Sequence, residues 1–167
     1  MTREIPMTNA PGVVALVDDE DYERVMEHGS WHRKEGTGTR GGGYAVPNHA
    51  HRPRPGMHRV VMGLGPGDPG LDHRNGDRLD NRKENLRIAT ASQNQANTRK
   101  MKRSRPMTSR FKGVSLDRGR WLASIKVRGR KRNLGRYATE EEASTAYERA
   151  AREAFGEFAR AGEEALR

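Results

Sequence analysis

The chain has 167 residues, 32% hydrophobic and 32% charged, with a net charge of +10 and no cysteine. That is material for one ordinary domain or two small ones, and too little apolar side chain for one large core, so two modest modules fit better. Absence of cysteine excludes disulfides and thiolate zinc sites, leaving oxygen and imidazole nitrogen as metal donors, and no apolar run is long enough for a signal peptide or membrane span.

Residues 1–56 read as a mixed α/β segment. GVVALVD (12–18) suits a strand, and DEDYERVMEH (19–28) a short helix with acidic residues at its start and Tyr22, Val25 and Met26 at helical spacing. SWHRKEG and GGYAVPN predict two strands joined by the turn GTGTRGG. That glycine run lacks the Lys-Ser/Thr ending and following helix of a phosphate-binding loop, so a hairpin turn is the better reading. NHAHRPRPG (48–56) is a polar loop whose His-x-His has no third ligand nearby.

Residues 57–97 begin with MHRVVMGL, an apolar run compatible with helix or strand, in which His58 reads as a packed or hydrogen-bonded histidine lining the next motif, with a catalytic role as the alternative. GPGDPG then turns the chain into DHRNGDRLDNRKENLRIATASQNQAN (72–97), which crowds aspartates, asparagines and one histidine into about two dozen positions. Asn75-Gly76 marks a turn, and a helix is expected from near Thr90, carrying Asn94.

Positive charge concentrates beyond that motif. Residues 98–138 carry 15 Lys/Arg against 1 Asp/Glu, whereas residues 1–97 carry 13 of each. Such a block attracts polyanions, and without a basic amphipathic helix to lie on a bilayer, nucleic acid is the expected partner and a membrane is not. Residues 98–108 read as a basic linker. RWLASIKV (120–127) alternates Trp121, Ala123, Ile125 and Val127 against Arg120, Leu122, Ser124 and Lys126, a half-buried strand. FKGVSLD before it and KRNLGRY after it complete three strands, turning at DRG and at Gly129. TEEEASTAYERAAREAFG then predicts a helix with Thr139 and Glu142 as a capping box and an alanine-rich stripe that allows close packing on the sheet. The opposite sheet face, bearing Lys and Arg, has no helix to cover it and suits the major groove of DNA. The RNA alternative fits the charge but not the narrow A-form major groove.

Two resemblances sharpen this reading. KGVSLDRGRWLASIKVRGRKRNLGRYATEEEASTAYERAAREAFGEFA resembles the plant Apetala-two/ERF-type DNA-binding domain over about fifty residues, in its Lys-Gly-Val opening, Trp-x-Ala-x-Ile strand, Leu-Gly-x-aromatic strand and Glu-Glu-Ala-x-x-Ala-Tyr helix. The likeness implies DNA contacts from Lys112, Arg120, Ser124, Lys126 and Lys131. Ser115, Asp117 and Asn133 stand where that family has Arg, Arg and Trp, so the docking mode is implied and the sequence preference is not. DHRNGDRLDNRKENLRIATASQNQAN in turn is similar to HNH endonucleases of the intron-encoded, phage-associated homing type, through Asp72-His73, then Asn85-Leu86-Arg87, then Ser92-Gln93-Asn94.

Together these imply an α+β protein. A ββα-metal HNH nuclease module over 57–97 is followed by a three-stranded antiparallel sheet packed on one helix over 109–160, with a tail at 161–167. The implied activity is metal-dependent hydrolysis of a DNA phosphodiester, by nicking or by double-strand cleavage. The setting it implies is the cytoplasm of a bacterial or phage-infected cell.

Asp72 and the Asn94 carboxamide would hold Mg²⁺ or Mn²⁺ rather than zinc, because a hard cation takes only one or two protein oxygens and keeps its waters. His73, with an ordinary pKa of about 6.5, would deprotonate the attacking water. Asn85 would brace the loop or hold the imidazole, and Arg87 would contact the phosphate. On a strand Asp72 and His73 would point to opposite faces, so a backbone irregularity is expected to bring both to the phosphate. Double-stranded DNA is the expected partner, with no small-molecule cofactor and a monomer favoured. The alternative is a non-catalytic DNA-binding regulator in which the sheet alone acts.

Overall fold

The computed structural model describes residues 1–35, 43–49, 54–98 and 108–160. The glycine turn, the second histidine of the His-x-His pair, most of the basic linker and the tail lie outside the described residues. The chain divides into two compact units, Met1–Thr90 and Ala91–Arg167.

In the first unit, β1 (Thr2–Pro6) pairs antiparallel with β2 (Val14–Asp18), placing Ile5 opposite Ala15. A 3-10 turn over Asp19–Asp21 leads into α1 (Tyr22–Met26). The hairpin expected from SWHRKEG and GGYAVPN is present as β3 (Trp31–Lys34) and β4 (Tyr44–Pro47). Trp31 is fully buried and donates its indole N–H to the Val25 carbonyl at 3.1 Å, so the core's largest side chain also has its polar atom satisfied.

The ambiguous run MHRVV is a helix, α2 (Met57–Val61). Met57, Val60 and Val61 are buried at i, i+3 and i+4, which leaves His58 and Arg59 on other sides. β5 (Leu71–His73) pairs antiparallel with β6 (Leu86–Ile88), and Leu86 joins the core of Ile5, Val17, Trp31 and Met57. Between those two strands the loop is fastened to the edge of β2: Leu16 donates to the Leu79 carbonyl and Asn81 donates to the Leu16 carbonyl, both at 2.8 Å. A segment without a strand of its own thus gains the ladder bonds of one.

The second unit opens with α3 (Ala91–Asn97), the helix expected near Thr90. β7 (Val114–Asp117), β8 (Arg120–Val127) and β9 (Arg130–Tyr137) form an antiparallel sheet in sequence order. Both hairpins turn on Arg-Gly with positive φ at each residue, 51° and 74° at Arg118-Gly119, 48° and 79° at Arg128-Gly129. Paired positive φ values give the tight turn whose twist matches the strands it joins.

α4 (Glu140–Phe155) carries the expected capping box, with Thr139 accepting from the Glu142 backbone and Glu142 from that of Thr139. Ala143, Ala146, Tyr147 and Ala151 are buried, as are Ala123 and Ile125 of β8. The helix lies so close at Gly113 that a Cβ there would come within 2.1 Å of the Tyr147 ring. A register shift between Ala123 and Ser124 leaves Leu134 as the extra residue of β9.

Candidate active site

Each carboxylate of the Asp-Asn-rich loop has a distinct structural partner. Asp80, buried, receives Arg82 through Nε on one oxygen and Nη2 on the other, both at 2.8 Å, and Asn75 Nδ2 at 2.8 Å. The Arg82 hydrogen bonds hold its carboxyl below the usual carboxylate range. Asn75 Oδ1 accepts from the Asp77 backbone at 2.8 Å and Asp77 Oδ1 from that of Leu79 at 2.9 Å, two successive side-chain turns that shape the loop tip. Asn85, buried at the far end, accepts from the Asn75 N–H at 3.0 Å and donates to the Asp80 carbonyl at 2.7 Å. One carboxamide therefore ties both ends of the loop together.

Asp72 and His73 sit in a regular ladder, opposite Arg87 and Leu86. No backbone irregularity appears at this pair, because Arg74 N–H also bonds the Asn85 carbonyl and the pairing runs on past His73. Alternation sends the two side chains to opposite faces of the pleat. Arg87 donates through Nε and Nη2, at 2.9 and 2.8 Å, to Oδ2 of Asp72. Side-chain exposures of 7% and 4% make this a buried ion pair.

His73 faces the other way, into a cluster that the sequence did not single out. Its ring centroid lies 5.4 Å from that of His58 and 6.2 Å from that of Tyr44, while Tyr44 and His58 are 5.3 Å apart. The Arg78 guanidinium stands over the Tyr44 ring at 4.5 Å. His73 Nε2 lies 3.3 Å from Asn81 Oδ1. Asn81 is itself fully buried and donates Nδ2 to the Leu79 carbonyl at 3.0 Å, which fixes its carboxamide with Oδ1 toward the imidazole. An amide oxygen only accepts, so Nε2 carries the proton and Nδ1 is the basic nitrogen.

Burial lowers the His73 pKa, opposed by the Asn81 hydrogen bond and by the carboxylates of Asp72 and Asp77. His58 is pushed down to about 3, first by burial and then by His73, Arg59 and Arg78. Both imidazoles are therefore neutral at neutral pH, and His58 Nδ1 is buried without a hydrogen-bond partner. The one advance signal for this cluster was a lone histidine, His58, in an apolar run. Nothing local marks Tyr44, Arg78 or Asn81 as its companions.

Asn94 lies on α3 in the second unit, half-buried. Among the described residues no three His, Asp or Glu gather as a metal-holding group. The available donors are a carboxylate and carboxamides without thiolate, a set that suits a hard divalent cation with few protein ligands. A cation on Asp72 would share that carboxylate with Arg87.

The register places Arg120, Ser124, Lys126 and Lys131 on the sheet face opposite Ala123 and Ile125. Lys112 does something else. Its Nζ donates to the carbonyls of Gln95, Ala96 and Thr98 at 3.0, 2.6 and 2.8 Å, at the C-terminal end of α3. A cation there meets the negative end of the helix and carbonyls that have no partner within it. The ammonium expected at DNA is thus engaged in fastening α3.

A family model described as HNH endonuclease matches residues 56–96. An uncharacterised HNH endonuclease of Acanthamoeba polyphaga mimivirus is 34% identical over 101 residues, which are 60% of this chain and 50% of that protein. The chain thus spans half the length of that relative. No solved structure matches. The matched residues 56–96 run from the residue before α2 into α3, and both findings support a nuclease. No helix among the described residues is long and apolar enough to cross a membrane.

Proposed function

We propose that the protein is a metal-dependent DNA endonuclease of the HNH homing type, in which His73 activates water and the C-terminal sheet docks on duplex DNA. The observation that carries this reading is the state of His73: a neutral imidazole, held in one tautomer by Asn81, in the segment that matches the HNH family. Burial supplies the protonation state a general base needs, and Asn81 stabilises the imidazolium as Nδ1 takes the proton of the attacking water. Asn85 positions the loop through its two backbone bonds. The HNH likeness implies Asp72 and Asn94 as ligands of the cation, Mg²⁺ or Mn²⁺, which would neutralise charge developing on the phosphate; Asp72 would have to exchange Arg87 for the ion to serve.

Arg78 adds a positive charge beside the imidazoles that suits a phosphate oxygen. Arg87, read from the sequence as a phosphate contact, serves in this mechanism to hold Asp72. The basic outer face of the sheet, with the Apetala-two/ERF likeness of its sequence, supports docking through Arg120, Ser124, Lys126 and Lys131. The nuclease module is then 57–97 and the docking module 109–160, joined by 98–108, and the enzyme acts as a monomer in the cytoplasm.

Supercoiled plasmid with the purified chain and Mg²⁺ tests this directly. Nicked or linear product should appear, vanish with chelator, and be lost in His73→Ala while DNA affinity stays within about twofold, since a general base acts in the transition state and not in docking. Loss of affinity together with cleavage would make His73 structural. One observation favours the second reading, a DNA-binding regulator without catalysis: Arg87 already neutralises Asp72. Binding without any cleavage in either metal would establish it.

A further inference from the structure

The outer face of the three-stranded sheet bears Arg120, Lys126, Lys131 and Arg136, and one acid among them, Asp117. Asp117 lies opposite Arg120 in the ladder, yet its carboxylate bonds Arg136 of β9, with Nε at 3.2 Å and Nη2 at 2.6 Å. Both contacts fall on Oδ2. With the side chains 51% and 35% exposed, this pair adds little to stability and is reachable from solvent. A carboxylate also works against phosphate binding, so neither fold energy nor backbone affinity accounts for it on this face.

Base edges in the major groove do account for it. A carboxylate accepts only, and the donors there are the amino groups of cytosine and adenine; adenine N6 sits beside the N7 acceptor, which repels it, whereas cytosine N4 has no such neighbour on its own base. The guanidinium beside it matches guanine O6 and N7. We propose that Asp117 and Arg136 form an acceptor–donor couple that reads one C·G base pair, making Asp117 a specificity-determining residue of the sheet. The assignment rests on the proposed docking of this face in the major groove. Asp117 accepts from cytosine N4 while Arg136, oriented by the ion pair, donates to the guanine partner, and guanine or thymine at the cytosine's place would set two acceptors against each other.

The test is selection from duplexes randomised over the bound site, with the full chain in chelator so that nothing is cut. The wild type should prefer C·G at one position by roughly 5- to 150-fold. Asp117→Ala should lose preference there alone, bind random duplex more tightly because Arg136 is released to phosphate, and steepen the logarithmic salt slope by about 0.9. Asp117→Asn, the milder change, should shift that position toward adenine, whose N6 and N7 a carboxamide matches. Identical preferences in wild type and both variants overturn the assignment. Lys126→Ala/Lys131→Ala separates this from the reading beneath it: a shallower salt slope leaves docking intact and removes only the Asp117 assignment, while unchanged affinity and slope remove both.

Discussion

Arg87→Met isolates the ion pair at Asp72. Both guanidinium donors converge on one oxygen of a carboxylate whose side chain is 4% exposed. Methionine replaces the aliphatic stem but takes the guanidinium away from a buried charge, at a cost of about 3–5 kcal/mol. For a unit of this size each kcal/mol moves the midpoint by about 4–8 °C, so melting should fall by roughly 12–40 °C. Trp31, fully buried in the first unit, reports that transition by fluorescence once the chain's other tryptophan is removed by Trp121→Phe. Asp72→Leu/Arg87→Met, which removes both charges, should regain most of the loss. If Asp72 also serves the cation, Mg²⁺ at a hundredfold over its dissociation constant should return about 2.7 kcal/mol to Arg87→Met. A loss under 1 kcal/mol would refute the buried-pair argument. The absence of any Mg²⁺ response would remove Asp72 from the metal site.

Asn85→Ala leaves the Asn75 N–H and the Asp80 carbonyl without their partners and should cost about 2–4 kcal/mol in urea unfolding, with cleavage falling alongside. Lys112→Met should destabilise the second unit by about 1–3 kcal/mol, judged from three lost carbonyl contacts, yet leave the salt slope of DNA binding unchanged because the ammonium serves α3. Removing 109–160 would therefore strip α3 of its fastening as well as removing the sheet. Below pH 6.5 the unfolded chain takes up a proton at His58 that the folded chain refuses until about pH 3, so stability from this group is complete above 6.5 and declines on acidification. His73, lowered in the same direction, adds to that decline, and His58→Gln should flatten it in pH-dependent melting. Gly113→Ala, with φ of 74° and no room beside Tyr147, should cost more than about 2 kcal/mol in thermal unfolding of the second unit.

The elements that sequence reading recovered are those whose information is local. Period-two alternation marks β8, Arg-Gly supplies both hairpin turns, and Thr139 with Glu142 starts α4, because each depends on residues within a few positions of one another. The spacing from Asp72-His73 to Asn85 and Asn94 is local in the same sense, and the segment that holds it matches the HNH endonuclease family model. β1 gave no such sign, since TREIP buries only Ile5 and exists as a strand only because β2 pairs with it. The five-residue run of α2 is too short for periodicity to separate helix from strand, and the packing of Met57, Val60 and Val61 into the core decided it.

Tertiary structure also decided what each charged or polar side chain does. Sequence assigned Asp72 to a metal, Arg87 to phosphate and Lys112 to DNA; the fold in addition pairs Asp72 with Arg87, fifteen residues on, and seats Lys112 on the carbonyls at the end of α3. It likewise brought Tyr44 and His58 against His73 and chose Asn81, not Asn85, to orient the imidazole. Residue type sets what a group can donate or accept, and local pattern sets strand, turn and helix. Which donor meets which acceptor depends on chain segments far apart in sequence, and in a buried site every charge must find such a partner or forfeit the water it left.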